Sequence, residues 1–145
     1  MSRVAGGEAF NGFDTALCAF LAIHHPERVI ASEDTVMVQS FRAVQIEFQP
    51  TVNWSLQRDI LRCNPKFHGR PRYDCFLYNT ESELLSFAFL IGLLCCTIPG
   101  GPKFDLVFVC HFKNSKWKPR IFWRGCRVVE ECRRPEFLPL EHVAR

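Results

Sequence analysis

The first regular pattern in the chain is helical and covers residues 15–25, where the sequence reads TALCAFLAIHH. Apolar side chains recur there at spacings of three and four, the period of an amphipathic helix. The stripe consists of Leu17, Phe20, Leu21 and His24. Asn11 or Asp14 is predicted to cap the helix, and Pro26 ends it because proline disfavours helical backbone in the residue before it.

From Thr35 the pattern changes to that of a strand. Polar and apolar residues alternate as far as Pro50, with a bulge predicted near residues 40–42. The next segment, Val52–Leu61, has no clear period and is ambiguous: Trp54, Ile60 and Leu61 could make a short helical turn, but the approach of Pro65 limits it.

The longest apolar run, Leu84–Ile98, predicts a buried core element. It has about fifteen residues, fewer than the roughly 18 to 20 that a membrane-spanning helix needs. By periodicity alone the run could be a helix or a strand, but Gly92 inside it and its phenylalanines favour a long, bent, buried strand. Residues 99–102, PGGP, then give the clearest turn signal in the chain.

Shorter segments complete the pattern. Strands are predicted at Tyr73–Tyr78, Phe104–Phe112 and Ile121–Val129, a basic turn at 113–119, and a short extended tail between Pro135 and Pro139. Strands at roughly ten-residue spacing with Pro/Gly turns are typical of small β domains.

The predicted fold is therefore α+β and mainly β: a small antiparallel barrel or sandwich with one N-terminal helix. Residues 1–10 are expected to form a flexible lead, and residues 11–145 a single domain. The length of 145 residues and a hydrophobic content of 48% are enough for a proper core.

The stretch Arg62–Tyr78 is predicted to be a long, irregular but ordered loop that leads into a strand, because it combines prolines, a glycine and several cations. Within and beside it, arginines and aspartates are expected to pair and fix an irregular backbone. This structural set comprises Arg62, Asp59 and Asp74, while Arg70 and Arg72 could pair in the same way or contribute to a binding surface.

Charge is distributed unevenly along the chain. Residues 1–100 carry a net −2 and residues 101–145 a net +5, so the positive field is assigned to the C-terminal third. The segment Lys113–Arg127 holds six basic residues, no acidic one and interleaved aromatics. Cations that contact phosphates and indoles that stack on bases would make it a nucleic-acid surface. The alternative is a solvated turn between two strands.

The residues predicted to bind nucleic acid lie mostly in that segment. They are Lys113, Lys116, Trp117, Lys118, Arg120, Trp123, Arg124 and Arg127, joined by Arg70 and Arg72.

Eight cysteines and five histidines leave two chemical alternatives open. A zinc site would use Cys63, His68 and Cys75 with a fourth ligand from Cys110, His111, Cys126 or Cys132. A nucleophile would be Cys63 or Cys75 paired with His68 or His111. The chain has no C-x-x-C pair and no common catalytic motif, so the sequence predicts neither an enzyme nor a metal or other cofactor.

The central motif resembles a known family. Asp59–Pro65, Phe67–Gly69 and Arg72–Cys75 resemble the pattern of uncharacterised proteins from mushroom-forming (basidiomycete) fungi, often found in or beside transposon reading frames, including the Plavaka type. Trp54, Phe137–Leu140 and Arg145 also resemble it, so the similarity covers most of the chain from Val36 onward. In such relatives the pattern continues beyond the arginine, which implies that a closing C-terminal strand is missing here.

Together these observations predict a non-enzymatic binding module that engages nucleic acid or a chromatin protein in a transposon-related context. The resemblance implies an intracellular protein, cytoplasmic or nuclear, and no membrane partner is expected. The alternatives are a protein-interaction or structural fragment of a larger transposon-encoded protein, and a zinc-stabilised domain.

Overall fold

The computed structural model describes residues 12–26, 35–50, 52, 54–80, 85–98, 100–116 and 128–144, with the side chains of 132 and 133 left out. These residues form one α-helix, α1 (Phe13–His24), a short 3-10 helix (Leu140–His142) and eight strands. The strands are β1 (Met37–Phe41), β2 (Ala43–Phe48), β3 (Gln57–Phe67), β4 (Arg70–Tyr73), β5 (Cys75–Asn79), β6 (Leu85–Thr97), β7 (Lys103–Asn114) and β8 (Val129–Pro139).

Helix α1 matches the predicted helix, with two corrections. Its N-cap is Gly12, which makes no side-chain cap bond, and Asp14 lies inside the first turn. Asn11, the other predicted cap, lies outside the described residues. His24 is exposed rather than buried with the apolar stripe, and its ring stacks on Phe20 with 4.2 Å between centroids.

The larger sheet is antiparallel and is built around β6, as the apolar run predicted. Strand β7 pairs with one edge of β6, β8 pairs with β7, and β1 and β5 share the other edge of β6. The predicted bend in β6 is a register shift between Leu90 and Gly92. At Gly92 an added β-carbon would lie 3.6 Å from Cβ of Phe108, an ordinary van der Waals contact, so the space beside β7 does not require glycine at this position.

Both faces of this sheet are covered, which gives three layers. On β7, Leu106 and Phe108 face one way and pack against α1, whereas Val107 and Val109 face the other way and pack against a smaller sheet. This alternation follows from the period of two of an extended strand. The predicted mainly β, sandwich-like fold with an N-terminal helix is therefore confirmed, and the described strands do not form a closed barrel.

The smaller sheet has the order β2-β3-β4 and is also antiparallel. The chain passes between the two sheets at single residues: Arg42 separates β1 from β2, and Asp74 separates β4 from β5. The irregularity predicted near residues 40–42 is thus a change of sheet. The amide N–H of Cys63 donates to the carbonyl of Arg42 at 3.0 Å, which ties the first crossing to β3.

Three predicted segments differ from the structure. The expected loop Arg62–Tyr78 is a β-hairpin followed by β5, and the expected helical turn in 52–61 is extended from Gln57 onward. The segment between Pro135 and Pro139 is extended as predicted, but it is part of strand β8 rather than a tail, and its Phe137, which is 6% exposed, lies in the core against α1. Prolines fit in β4 and β8 because both lie at sheet edges, where an outward N–H is not needed. The strand predicted at 121–129 falls almost entirely outside the described residues.

Candidate nucleic-acid interface

A two-residue turn joins β3 to β4. His68 and Gly69 both have positive φ angles, 46° and 77°, and Phe67 pairs with Arg70 on either side of them. Two consecutive residues in this conformation are the signature of a type I′ turn, whose twist matches that of the strands. The arginine-rich stretch therefore forms a β-hairpin with a tight turn.

A bulge in β3 decides which way Phe67 faces. Asn64 pairs with Arg72 and Phe67 with Arg70, so two residues of β3 oppose one residue of β4. The side chain of Asn64 fixes the bulge by accepting the Lys66 amide N–H at 2.9 Å. In a regular strand Phe67 would share the inward face of Cys63, but the extra residue moves it to the outward face.

On that outward face Phe67 lies between two arginines. The guanidinium carbons of Arg62 and Arg72 are 5.5 Å and 5.1 Å from the centroid of its ring. Both distances are within the range of a cation–π contact. We call these three residues, Arg62, Phe67 and Arg72, the arginine–phenylalanine cluster. Arg72 also donates from Nε to Asp74 at 3.1 Å, so its head is held against the sheet.

The hairpin around the cluster is strongly positive. Residues 57–73 carry five cations and one carboxylate. Lys66 and Arg70 are exposed beside the turn, and neither forms an ion pair within the described part of the chain. Arg58, at the far end, pairs with Glu47 at 2.7 Å. The positive charge of residues 57–73 is not apparent from the net charge of residues 1–100, which is −2, because acidic residues elsewhere in that range outweigh it.

Among the described residues, the predicted arginine–aspartate pairing is found once, between Arg72 and Asp74. Asp74 accepts both the Arg72 side chain and, at 2.9 Å, the backbone N–H of Arg62, so it fixes the backbone as expected. Arg62 itself bonds through its side chain to the carbonyl of Ile60. The prediction was wrong for Asp59, whose carboxylate accepts the Ile60 N–H and pairs with no arginine among the described residues.

Most of the predicted C-terminal binding residues lie outside the described residues: Trp117, Lys118, Arg120, Trp123, Arg124 and Arg127. The two that are described lie at the end of β7, with Lys113 opposite Glu130 on β8 and Lys116 shortly beyond. Both are exposed. Lys113 belongs to the larger sheet and Lys116 follows it in a bend, whereas Arg70 and Arg72 belong to the smaller sheet.

Comparison with protein-family models, with curated proteins and with solved structures finds no match for this chain. The interface is therefore interpreted from its own geometry. In the described part of the chain, no helix has the length and the apolar run needed to cross a bilayer.

The cysteines provide no metal-binding group within the described residues. No three His, Cys, Asp or Glu side chains there are arranged to hold an ion, and the six described cysteines are free thiols. Cys126 and Cys132, two of the proposed fourth zinc ligands, are not covered by that finding. Burial raises the pKa of Cys63, whose Sγ donates to the Phe41 carbonyl at 3.2 Å, so its thiolate is disfavoured.

A second polar group was not predicted from the sequence. The Tyr78 hydroxyl lies 2.7 Å from Nδ1 of His111, and Nε2 of His111 lies 3.1 Å from Glu136. Because a carboxylate only accepts, Nε2 donates to Glu136, and in the neutral imidazole Nδ1 then accepts from Tyr78. The three side chains line an open cleft of about 340 Å³ together with His24 and His142.

This network is better suited to joining strands than to supplying a nucleophile. Burial, with the Glu136 carboxylate as a smaller cause, raises the pKa of Tyr78, so its hydroxyl keeps its proton at neutral pH. Tyr78, His111 and Glu136 lie on β5, β7 and β8, so the bonds run across the larger sheet.

Proposed function

We propose that this chain is a non-enzymatic nucleic-acid-binding module and that the β3–β4 hairpin is its principal contact surface. The observation that carries the proposal is the arginine–phenylalanine cluster with Lys66 and Arg70 exposed beside it. A cationic surface of this kind attracts phosphates irrespective of sequence, and an aromatic ring among the cations supplies a second, stacking contact.

The geometry favours a nucleic acid over an acidic protein as the polyanion. The cations lie on both strands of a short ribbon, where they could contact successive phosphates, and the guanidinium groups of two of them pack on an aromatic ring. The resemblance to fungal transposon-associated proteins agrees with this choice and suggests a nuclear setting. Lys113 and Lys116, which are exposed at the end of β7 and just beyond it, would be a secondary contact separate from the hairpin in the proposed module.

The proposal predicts binding that weakens steeply with salt. A labelled 20-nucleotide DNA, supplied as duplex and as single strand, would be titrated by fluorescence anisotropy at 50 and 200 mM KCl. If about four phosphates are contacted, affinity should fall roughly 100-fold over this range. Arg70→Glu should weaken binding about 10-fold or more, because it replaces an attraction to phosphate by a repulsion.

Lys103→Glu is the matched control, since it reverses the charge of an exposed lysine at the start of β7, on the other sheet. It should change affinity much less than Arg70→Glu does. Absence of binding to either form of DNA at 50 mM salt, or equal losses in the two variants, would overturn the assignment of the hairpin as the contact surface.

A further inference from the structure

The arginine–phenylalanine cluster differs from a simple phosphate-binding patch because its planar groups are immobilised. Arg72 lies over Phe67, and its Nε is also bonded to Asp74, yet 45% of its side chain remains exposed. Arg62 is held over the same ring and bonded to the carbonyl of Ile60 at 3.2 Å. Flat surfaces with fixed orientation are thus presented to a ligand.

Side chains held in this way are poorly placed to read a duplex. Duplex bases show only their edges, which lie at the bottom of a groove, and an arginine must extend to reach them. The head of Arg72 is instead tied back on the sheet by Asp74. Unpaired bases expose their faces, and these can stack on an aromatic ring or on a guanidinium plane.

We propose that the preferred ligand of the hairpin is single-stranded nucleic acid, with an unpaired base stacked on the arginine–phenylalanine cluster and an adjoining phosphate on Arg70, which lies opposite Phe67 on β4. This inference rests on the proposed function and adds the class of nucleic acid that is bound. The bulge at Asn64–Phe67 is the feature that makes it possible, because it turns the ring outward between the two arginines.

The test compares three ligands at one salt concentration: a 15-nucleotide single strand of mixed sequence, the corresponding duplex, and an abasic strand of equal length. The normal single strand should bind at least about 10-fold more tightly than the duplex or the abasic strand. Two variants then remove planarity: Arg72→Lys keeps the charge without the guanidinium plane, and Phe67→Leu keeps the bulk without the aromatic ring.

Both variants should lose roughly 5-fold to 100-fold in affinity for the normal single strand and little for the abasic one. Near-UV circular dichroism and a thermal melt would check that each variant is folded. Equal affinity for single strand and duplex, or an unchanged affinity in both variants, would overturn the inference. If the salt dependence and the effect of Arg70→Glu persisted in that case, the proposed function would stand. If no ligand bound, both would fail.

Discussion

At the scale of single residues, Asp74 has the largest role in holding the candidate interface in place. Its carboxylate accepts the backbone N–H of Arg62 and the Nε of Arg72. Its own N–H donates to the Arg62 carbonyl at 2.9 Å, and its carbonyl accepts the Leu90 N–H at 3.0 Å. One residue therefore joins both strands of the hairpin to the central strand of the larger sheet.

Replacement of this carboxylate should destabilise the fold measurably. Asp74→Ala leaves the partly buried N–H of Arg62 without its acceptor and frees Arg72, which we expect to cost about 2 kcal/mol in urea denaturation. Asp74→Asn retains one acceptor oxygen, so its loss should be smaller. An Asp74→Ala variant as stable as the parent would show that water replaces both bonds without cost.

At the scale of secondary-structure elements, the turn between β3 and β4 fixes the register of the hairpin. Type I′ geometry requires positive φ at both central residues, a conformation that suits glycine and asparagine better than histidine. A β-carbon at Gly69 would meet nothing within 4 Å, so any penalty there comes from the backbone and not from a clash.

Two substitutions in this turn should change stability in opposite directions. His68→Asn should raise the free energy of unfolding by about 0.5 kcal/mol, since asparagine tolerates the left-handed region. Gly69→Ala should lower it by about 1 to 2 kcal/mol, because an L side chain is strained there. Urea midpoints measured at an unchanged m-value provide the comparison, and shifts of the same sign would contradict the turn assignment.

The same element shows what the sequence can and cannot predict. The helix is predictable because its apolar residues recur at spacings of three and four over residues 15–25. Strand β6 is predictable as a buried element from the length of its apolar run, and Gly92 and the phenylalanines, rather than a period, favour a strand there. The hairpin is not, because Pro65 sits in a bulge and Pro71 on an edge strand, where proline is tolerated. Phe67 has the parity of a core position, and only the bulge reveals that it faces outward.

At the scale of the whole molecule, the larger sheet is the layer that the other two share. Strand β7 supplies buried side chains to both faces, so helix α1 and the smaller sheet depend on the same strand. On the helical side the contact is aromatic. The ring centroid of Phe137 lies 4.7 Å from that of Phe108 and 5.2 Å from that of Phe13, and Phe20 lies 6.3 Å away.

Removal of that ring should therefore detach the helix as well as lower stability. Phe137→Ala should cost about 3 to 5 kcal/mol, since a buried phenylalanine is lost and a cavity remains. The amides of α1 should exchange with deuterium faster than those of β6, because the helix has lost its docking surface.

Phe87→Ala, at a position that is 53% exposed, is the control and should cost about 1 kcal/mol or less. If the amides of α1 exchanged as slowly as those of β6 in Phe137→Ala, the helix would be held by contacts other than this aromatic cluster. The packing of α1 against Phe137 would then not be what fixes the helix to the larger sheet.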